Sequence, residues 1–162
     1  MKYTGSCHCQ SVRFSLNMKQ PYPFNRCYCS ICRKTAGGGG YAINLGGDFN
    51  SLQIEGKAFL SIYQAEIRDS ATGENNKSPA QRSFCCRCGS ALWVWDPRWP
   101  ELVHPFASAI DTELPVPPQR THMMLKYARP WIEPDIRNSD ETFDTYPQES
   151  LAQWHKRHQP GV

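Results

Sequence analysis

The cysteines constrain the fold of this chain most, because the eight of them fall into short clusters. The clusters are Cys7-His8-Cys9, Cys27-Tyr28-Cys29-Ser30-Ile31-Cys32 and Cys85-Cys86-Arg87-Cys88. Disulfides are the alternative, but an extended Cys-x-Cys backbone aims neighbouring thiols unfavourably for a bridge. The spacing is typical of metal ligands, so we expect metal sites to join distant parts of the chain.

The first and third clusters together supply the four thiolates of a closed metal site. Cys85 and Cys88 form a Cys-x-x-Cys turn, and Gly89 follows it, where a positive φ is favoured. Cys7 and Cys9 on an extended segment would add the other two thiolates. Four protein ligands around zinc make a structural site. The alternative is that Cys7 and Cys9 are ordinary buried core cysteines.

The second cluster offers three thiols rather than four. Cys27, Cys29 and Cys32 could bind a second zinc and leave one coordination position open. An open position is typical of a reactive zinc site, whereas a closed set is structural. We therefore predict that Cys27, Cys29 and Cys32 form the catalytic, more labile site.

Three cationic residues flank the second cluster and are the candidate substrate-binding residues: Arg26, Arg33 and Lys34. Zinc with three thiolates carries a formal charge of about −1, which these cations would offset. They would also attract an anionic substrate. The alternative is that they are ordinary solvated surface residues. Four aromatic residues could line a pocket or simply pack in the core: Tyr28, Tyr41, Trp93 and Trp95.

The remaining cysteine and the histidines are not predicted to bind metal. Cys86 is expected to point away from the four-thiolate set, and its role is left open. His8 is expected to be exposed between ligands. The other histidines are expected to be structural or pocket-lining (His104 and His122) or to lie at a solvated helix end (His155 and His158).

Hydrophobic alternation and aromatic content predict an all-β fold. Five Trp, seven Tyr and seven Phe suit a β-rich core. Period-two alternation at Val12, Phe14 and Leu16 is typical of a half-buried strand. Residues 52–62 are predicted to form a hairpin turning near Gly56, and residues 69–80 a polar loop. A short C-terminal helix is predicted after Tyr146-Pro147, with cationic residues at its end.

Composition also excludes several classes of function. The net charge of +3 is too small to indicate nucleic-acid binding, and no basic run is interleaved with aromatic residues. The sequence contains no apolar run long enough to span a bilayer and no secretory signal. We therefore expect a cytoplasmic protein.

The three motifs together resemble those of the glutathione-dependent formaldehyde-activating family, which includes centromere protein V. The resemblance begins at Gly5-Ser6-Cys7-His8-Cys9-Gln10-Ser11-Val12-Arg13-Phe14 and continues in Cys27-Tyr28-Cys29-Ser30-Ile31-Cys32-Arg33-Lys34. It includes Phe84-Cys85-Cys86-Arg87-Cys88-Gly89-Ser90 and extends through His122 to Trp131. Cys86 and the run Gly37-Gly38-Gly39-Gly40 depart from the family pattern.

The resemblance implies a β-tent fold of small antiparallel sheets clipped by zinc. It implies up to two Zn²⁺ per chain, one at the four-cysteine set and a labile one near a glutathione site. The implied activity is that of a carbon–sulfur lyase, which joins glutathione or a similar thiol to an aldehyde such as formaldehyde.

Residues 1–135 are predicted to form the zinc-binding β domain and residues 136–162 a C-terminal extension with the short helix. Two other functions are consistent with the same residues. One is a non-catalytic zinc module that binds a partner, and the other is a thiol-redox or zinc-buffering protein. The substrate and the oligomeric state are left open.

Overall fold

The computed structural model describes residues 1–158 and shows a mostly β protein with short helices. The strands are β1 (Lys2–Ser6), β2 (Arg13–Asn17), β3 (Phe24–Cys27), β4 (Ala42–Asn44), β5 (Gly47–Glu55), β6 (Leu60–Tyr63), β7 (Glu66–Arg68), β8 (Asn75–Lys77), β9 (Gln81–Cys85), β10 (Ala91–Trp95), β11 (Leu102–Pro105), β12 (Arg120–Met123) and β13 (Glu141–Thr142). The α-helices are α1 (Ser30–Ala36) and α2 (Leu151–His158). Short 3₁₀ turns cover Lys57–Phe59, Ala107–Ala109 and Leu125–Tyr127.

The chain divides into two compact units, and each cysteine set lies within one of them. The first unit comprises Met1–Lys19 and Gly47–Glu113, and the second comprises Gln20–Gly46 and the chain from Leu114 onward. The four-cysteine set therefore belongs to the first unit and the three-cysteine set to the second. Neither described helix has the length and hydropathy needed to traverse a bilayer.

The first unit is built on a seven-stranded sheet with the order β1-β2-β5-β11-β10-β9-β6. All of its strand pairs are antiparallel. Phe14 and Leu16 alternate with polar residues along β2, so one face of that strand is buried. Phe14 meets Trp93 edge to face, with ring centroids 5.1 Å apart. This packing joins β2 and β10, the strands that follow the two turns carrying the four cysteines.

The second unit contains a mixed four-stranded sheet with the order β13-β12-β3-β4. Strand β12 runs parallel to both β3 and β13, while β3 and β4 are antiparallel. Helix α1 follows β3 directly, so Cys27 at the strand end and Cys32 in the helix lie within one short segment. Helix α2 buries Trp154, which stacks on His158 at 3.9 Å between ring centroids.

The structure confirms the predicted fold class, a mostly β protein with a short C-terminal helix. The predicted hairpin within residues 52–62 is wrong, because β6 pairs with β9. Strand β5 already uses both of its edges, since it lies between β2 and β11. The predicted polar loop contains the short strand β8, which pairs with β7. Gly73, at φ 74°, makes the tight turn between those two strands.

Candidate metal centres

Four thiols of the first unit converge at one point. The Sγ atoms of Cys7, Cys9, Cys85 and Cys88 all lie within 4.8 Å of one another. The separation is 3.6 Å between Cys7 and Cys9, and 3.8 Å between Cys9 and Cys85. Tetrahedral zinc with Zn–S bonds of ~2.3 Å requires S–S separations of about 3.8 Å. The donor set therefore fits a tetrahedral metal ion.

Two tight turns present these four thiols. The N–H of Gly89 donates to the carbonyl of Cys85 at 2.8 Å, and Gly89 has the expected positive φ of 74°. On the other side, the N–H of Gln10 donates to the carbonyl of Cys7 at 2.9 Å. Gln10 also has a positive φ, 61°, which sequence reasoning did not identify because glycine is the usual residue there. The N–H of Val12 points at Cys7 Sγ, 3.2 Å away, as it would to stabilise a thiolate.

Nearby hydroxyl groups favour the ionised form of the two exposed thiols. Ser90 Oγ lies 3.2 Å from Cys88 Sγ, and its hydrogen bond is the largest cause that lowers the Cys88 pKa to about 5. Ser11 Oγ lies 3.2 Å from Cys9 Sγ and likewise lowers the Cys9 pKa. Burial instead raises the pKa of Cys85 to about 11. Since a metal ligand must be a thiolate, the exposed pair supplies the more readily ionised ligands.

Cys86 lies in the same cluster of the sequence but is not part of this set. It is exposed, whereas its neighbour Cys85 is completely buried. Strand β9 ends at Cys85, and the N–H of Cys86 donates to the carbonyl of Phe59 at 2.9 Å. The four ligating candidates are therefore the ones that the sequence predicts, with Cys86 pointing elsewhere.

Three thiols of the second unit form a separate cluster. The Sγ atoms of Cys27, Cys29 and Cys32 lie within 4.8 Å of one another. Cys27 ends β3, Cys29 is the N-cap of α1, and Cys32 lies in the first turn of that helix. The N–H of Cys32 donates to Cys29 Sγ at 3.4 Å. The turn from strand to helix thus directs all three side chains to one point.

Contacts among the three thiols separate their pKa values. Hydrogen bonds from Cys27 and Cys32 lower the pKa of Cys29, and the N–H groups at the start of α1 add to this effect. The pKa of Cys27 is raised, first because its thiol donates to Cys29 and Cys32 and then because it is buried. The cluster therefore holds one readily formed thiolate, and it can hold three only with a compensating positive charge. Each of the two cysteine clusters could hold a metal ion.

The three predicted cationic residues flank this second cluster in the sequence. Arg26 immediately precedes Cys27 on β3, and its guanidinium lies over the Tyr41 ring, 5.0 Å from the centroid. Arg33 and Lys34 lie in the last turn of α1, where Arg33 is half-buried and Lys34 is exposed. The Nε atoms of Arg26 and Arg33 are buried without a hydrogen-bond partner among the described residues. Two guanidinium groups therefore retain unused donor capacity.

Sequence reasoning missed the arrangement of polar residues behind the second cluster. Tyr28 and His122 are completely buried, and Tyr28 Oη lies 2.9 Å from His122 Nδ1. His122 Nε2 lies 3.3 Å from Asp140 Oδ2, and Arg120 donates to that carboxylate through Nε at 2.8 Å. His122 was expected to be structural or pocket-lining, but no sequence signal connected it to residue 28 or residue 140.

The other candidate residues have mainly structural surroundings. His8 is exposed, as expected, and His104 lies on β11. The expectation of a solvated helix end is wrong for His155, whose Nε2 donates to the Tyr22 carbonyl at 2.6 Å. It is also wrong for His158, which stacks on Trp154. Two of the four aromatic candidates, Trp93 and Trp95, pack within the first unit against Phe14 and Phe49 respectively.

Comparisons with known proteins agree with this architecture. The model of the family described as "Glutathione-dependent formaldehyde-activating enzyme" matches residues 2–126. A Halomonas elongata protein named "Putative glutathione-dependent formaldehyde-activating enzyme" is 61% identical over 157 residues, covering 97% of this chain and 96% of that protein. A crystal structure of a Rhodobacter sphaeroides protein is 24% identical, with a TM-score of 0.52. The match covers 69% of this chain and 91% of that structure, and it supports the fold alone.

The fold and the two clusters define a class of protein: a mostly β chain with one four-cysteine and one three-cysteine set, each suited to a metal ion. Within that class, the extent of the family match and the 61% identity identify the chain further. It belongs to the glutathione-dependent formaldehyde-activating enzyme family.

Proposed function

We propose that this chain is a zinc-dependent enzyme of the carbon–sulfur lyase type, which joins glutathione or a similar small thiol to an aldehyde such as formaldehyde. The observation that carries the proposal is the convergence of Cys27, Cys29 and Cys32 as a three-thiol set distinct from the four-thiol set. The name of the 61% identical Halomonas elongata relative supports glutathione and formaldehyde as the reactants.

The two sets would have different roles. Cys7, Cys9, Cys85 and Cys88 would hold a structural zinc, because four protein ligands complete the tetrahedron. Cys27, Cys29 and Cys32 would hold a second zinc with a position left for a ligand from solution. When bound there, zinc would supply the positive charge that favours ionisation of an incoming thiol.

The residues of the chain would bind and orient the thiol substrate. Glutathione carries two carboxylates, and a guanidinium can bind a carboxylate through two parallel hydrogen bonds. Arg26 and Arg33 would make this contact through guanidinium N–H groups other than Nε, since the Nε of each is buried. Lys34 is exposed and would act as an additional positive charge rather than as a directional partner.

The reaction is a simple addition in which all atoms are retained. The thiol loses its proton, and the sulfur lone pair forms a bond to the carbonyl carbon of the aldehyde. The π electrons of the carbonyl move to its oxygen, which takes up a proton and becomes a hydroxyl. With formaldehyde and glutathione the product is S-hydroxymethylglutathione, and the reverse reaction breaks the same carbon–sulfur bond.

The test is the rate of this exchange at equilibrium. Two-dimensional exchange NMR on a mixture of glutathione and formaldehyde measures the forward and reverse rates with and without protein. We expect the zinc-loaded protein to accelerate exchange, Cys29→Ser to abolish the acceleration, and Cys86→Ser to retain it. Exchange at the spontaneous rate with fully loaded protein would contradict the proposed activity.

The predicted substrate contacts are tested by binding. Losing one charge-assisted contact to a carboxylate costs about 1.5–3 kcal/mol, so Arg33→Ala should weaken glutathione binding roughly tenfold or more. Lys34→Ala should weaken it less, because a solvated charge contributes little. Lys57→Ala is the control, since Lys57 is an exposed cation of the first unit. Equal glutathione affinities for all three variants would show that neither Arg33 nor Lys34 contacts the bound glutathione.

A further inference from the structure

A chain of buried polar contacts runs from the second cysteine cluster into the C-terminal part of the second unit. Tyr28 Oη contacts His122 Nδ1 at 2.9 Å, and His122 Nε2 contacts Asp140 Oδ2 at 3.3 Å. The side chains of His122 and Asp140 have no exposed surface. Arg120 is the last partner in this series of contacts, and its Nη2 lies 2.6 Å from the same carboxylate oxygen of Asp140.

The chemistry of each partner fixes the direction of these hydrogen bonds. Asp140 is ionised: burial would raise its pKa, but the hydrogen bonds from Arg120 and from backbone N–H groups lower it overall. The carboxylate can only accept, so the proton of the His122 ring lies on Nε2. Burial favours the neutral ring by lowering the His122 pKa, which leaves Nδ1 as an acceptor. Tyr28 therefore donates its hydroxyl proton to His122.

Tyr28 is held by its backbone as well as by its side chain. Its N–H donates to the carbonyl of Met123 at 3.1 Å, continuing the parallel register in which Met123 pairs with Cys27. Tyr28 lies between Cys27 and Cys29 in the sequence, so rotation about its backbone would separate those two thiols. A phenylalanine would fill nearly the same buried volume without a polar group, so the hydroxyl requires an explanation other than packing.

Asp140, at the end of this series of polar contacts, lies beyond the region that the family model matches. That region ends at residue 126, whereas Asp140 follows it. Backbone N–H groups of Arg120 and Arg137 donate to the Asp140 carboxylate, each at 2.9 Å. Asp140 is thus fixed from several sides, and it can fix His122 in turn.

We propose that Tyr28, His122 and Asp140 are positioning residues that hold Cys27 and Cys29 in the geometry needed to retain the second metal ion. The C-terminal segment thereby supports the reactive site through Asp140. This inference rests on the proposed metal site at Cys27, Cys29 and Cys32. The three residues act on the ligands through the backbone and do not themselves touch the metal.

The test compares Tyr28→Phe with Tyr41→Phe in the protein loaded with Co²⁺. Tyr41 is the matched control, because its ring lies 5.1 Å from that of Tyr28 and the Tyr28–His122 hydrogen bond does not involve it. Removing a supporting contact around metal ligands typically costs 10–100-fold in affinity, so Tyr28→Phe should release one of two ions to a chelator about tenfold faster. The visible absorption of the Co²⁺ ion that is released faster should also shift, whereas that of the other Co²⁺ ion should not. Tyr41→Phe should match the wild-type protein in both measurements.

Asp140→Asn provides a second variant, at the opposite end of the polar contacts from Tyr28. Circular dichroism checks that each variant is folded. Asp140→Asn should accelerate the release of the same ion. Wild-type kinetics and absorption in folded Tyr28→Phe would overturn this inference while leaving the proposed metal site intact. A wild-type protein that binds only one ion would overturn both.

Discussion

Replacing Cys85 with serine should strongly destabilise the protein. Cys85 is completely buried, and its Sγ lies 3.8 Å from Cys9 Sγ across a sequence separation of 76 residues. Serine offers a poor zinc ligand in the same buried position, so the variant should lose both the ion and the cross-link between distant segments. Metal binding free energy contributes directly to folding in such sites.

The size of the effect follows from the length of chain that the site closes. The chain-entropy relation for a cross-link gives about 4.5 kcal/mol for the 76-residue separation at 25 °C. Domains of this kind are stable by only about 5–15 kcal/mol, so this loss removes a large part of the total. Cys27, Cys29 and Cys32 lie within one short segment, for which the same relation gives about 2 kcal/mol. Cys29→Ser should therefore leave the protein folded.

Thermal melts followed by circular dichroism measure the difference. A loss of 1 kcal/mol lowers the Tm of a 150–250-residue protein by about 2–4 °C, so Cys85→Ser should lower it by roughly 9–18 °C. Cys29→Ser should lower it by less than half as much. Cys86→Ser is the control, because the exposed Cys86 undergoes the same chemical change but does not belong to the four-thiol set. Equal losses from Cys85→Ser and Cys29→Ser would refute the distinction between a structural and a reactive set.

Three further predictions concern metal release, the glycine run and pH. The loaded protein should contain two zinc ions, and a mild chelator should remove one sooner; simultaneous loss would contradict two classes of site. Gly40→Ala should cost about 2 kcal/mol or more, because Gly40 has φ 92° and a Cβ there would lie 2.5 Å from Ile132 Cδ1. Gly39→Ala, with open space around its Cβ position, should be nearly neutral in the same denaturant titration. Burial lowers the His122 pKa below its ordinary value of 6.5. The folded state's preference for neutral His122 therefore contributes its full stabilisation above pH 6.5, and this stabilisation is lost as the pH falls from 6.5 through the lower folded-state pKa. Ring ¹⁵N shifts should show a neutral imidazole at pH 6.5, and a half-protonated ring there would contradict this.

The cysteine positions predicted much of the candidate site, because metal ligation imposes short-range spacing that a sequence displays directly. Cys85, Cys88 and Gly89 form a local turn, and its geometry depends on few other residues. The three-thiol set is also local, since β3 and α1 are adjacent in the chain. Helix α1 was missed because it is short and its N-cap is Cys29, a residue type outside the usual capping residues.

Long-range pairings could not be predicted in the same way. The alternation in β5 and β6 indicated two strands correctly, but it carried no information about which partners fill each edge. The Tyr28–His122–Asp140 contacts depend on the parallel pairing of β12 with β3, and no local pattern encodes that register. Hydrophobic periodicity therefore identified β2, β5 and β6 as strands, and only the structure identified the polar residues that the strand pairing brings together.

Calorimetry with glutathione and S-methylglutathione tests whether the three-thiol site binds a substrate thiol through its sulfur. Only the free thiol can ionise on binding, whereas a thioether is a weak neutral donor. The zinc-loaded protein should bind glutathione more tightly and release a proton, detected as a difference between buffers of unlike ionisation enthalpy. Cys27→Ala, Cys29→Ala or Cys32→Ala should abolish the preference. Equal affinity for the two compounds with no proton released would contradict thiol chemistry at this site.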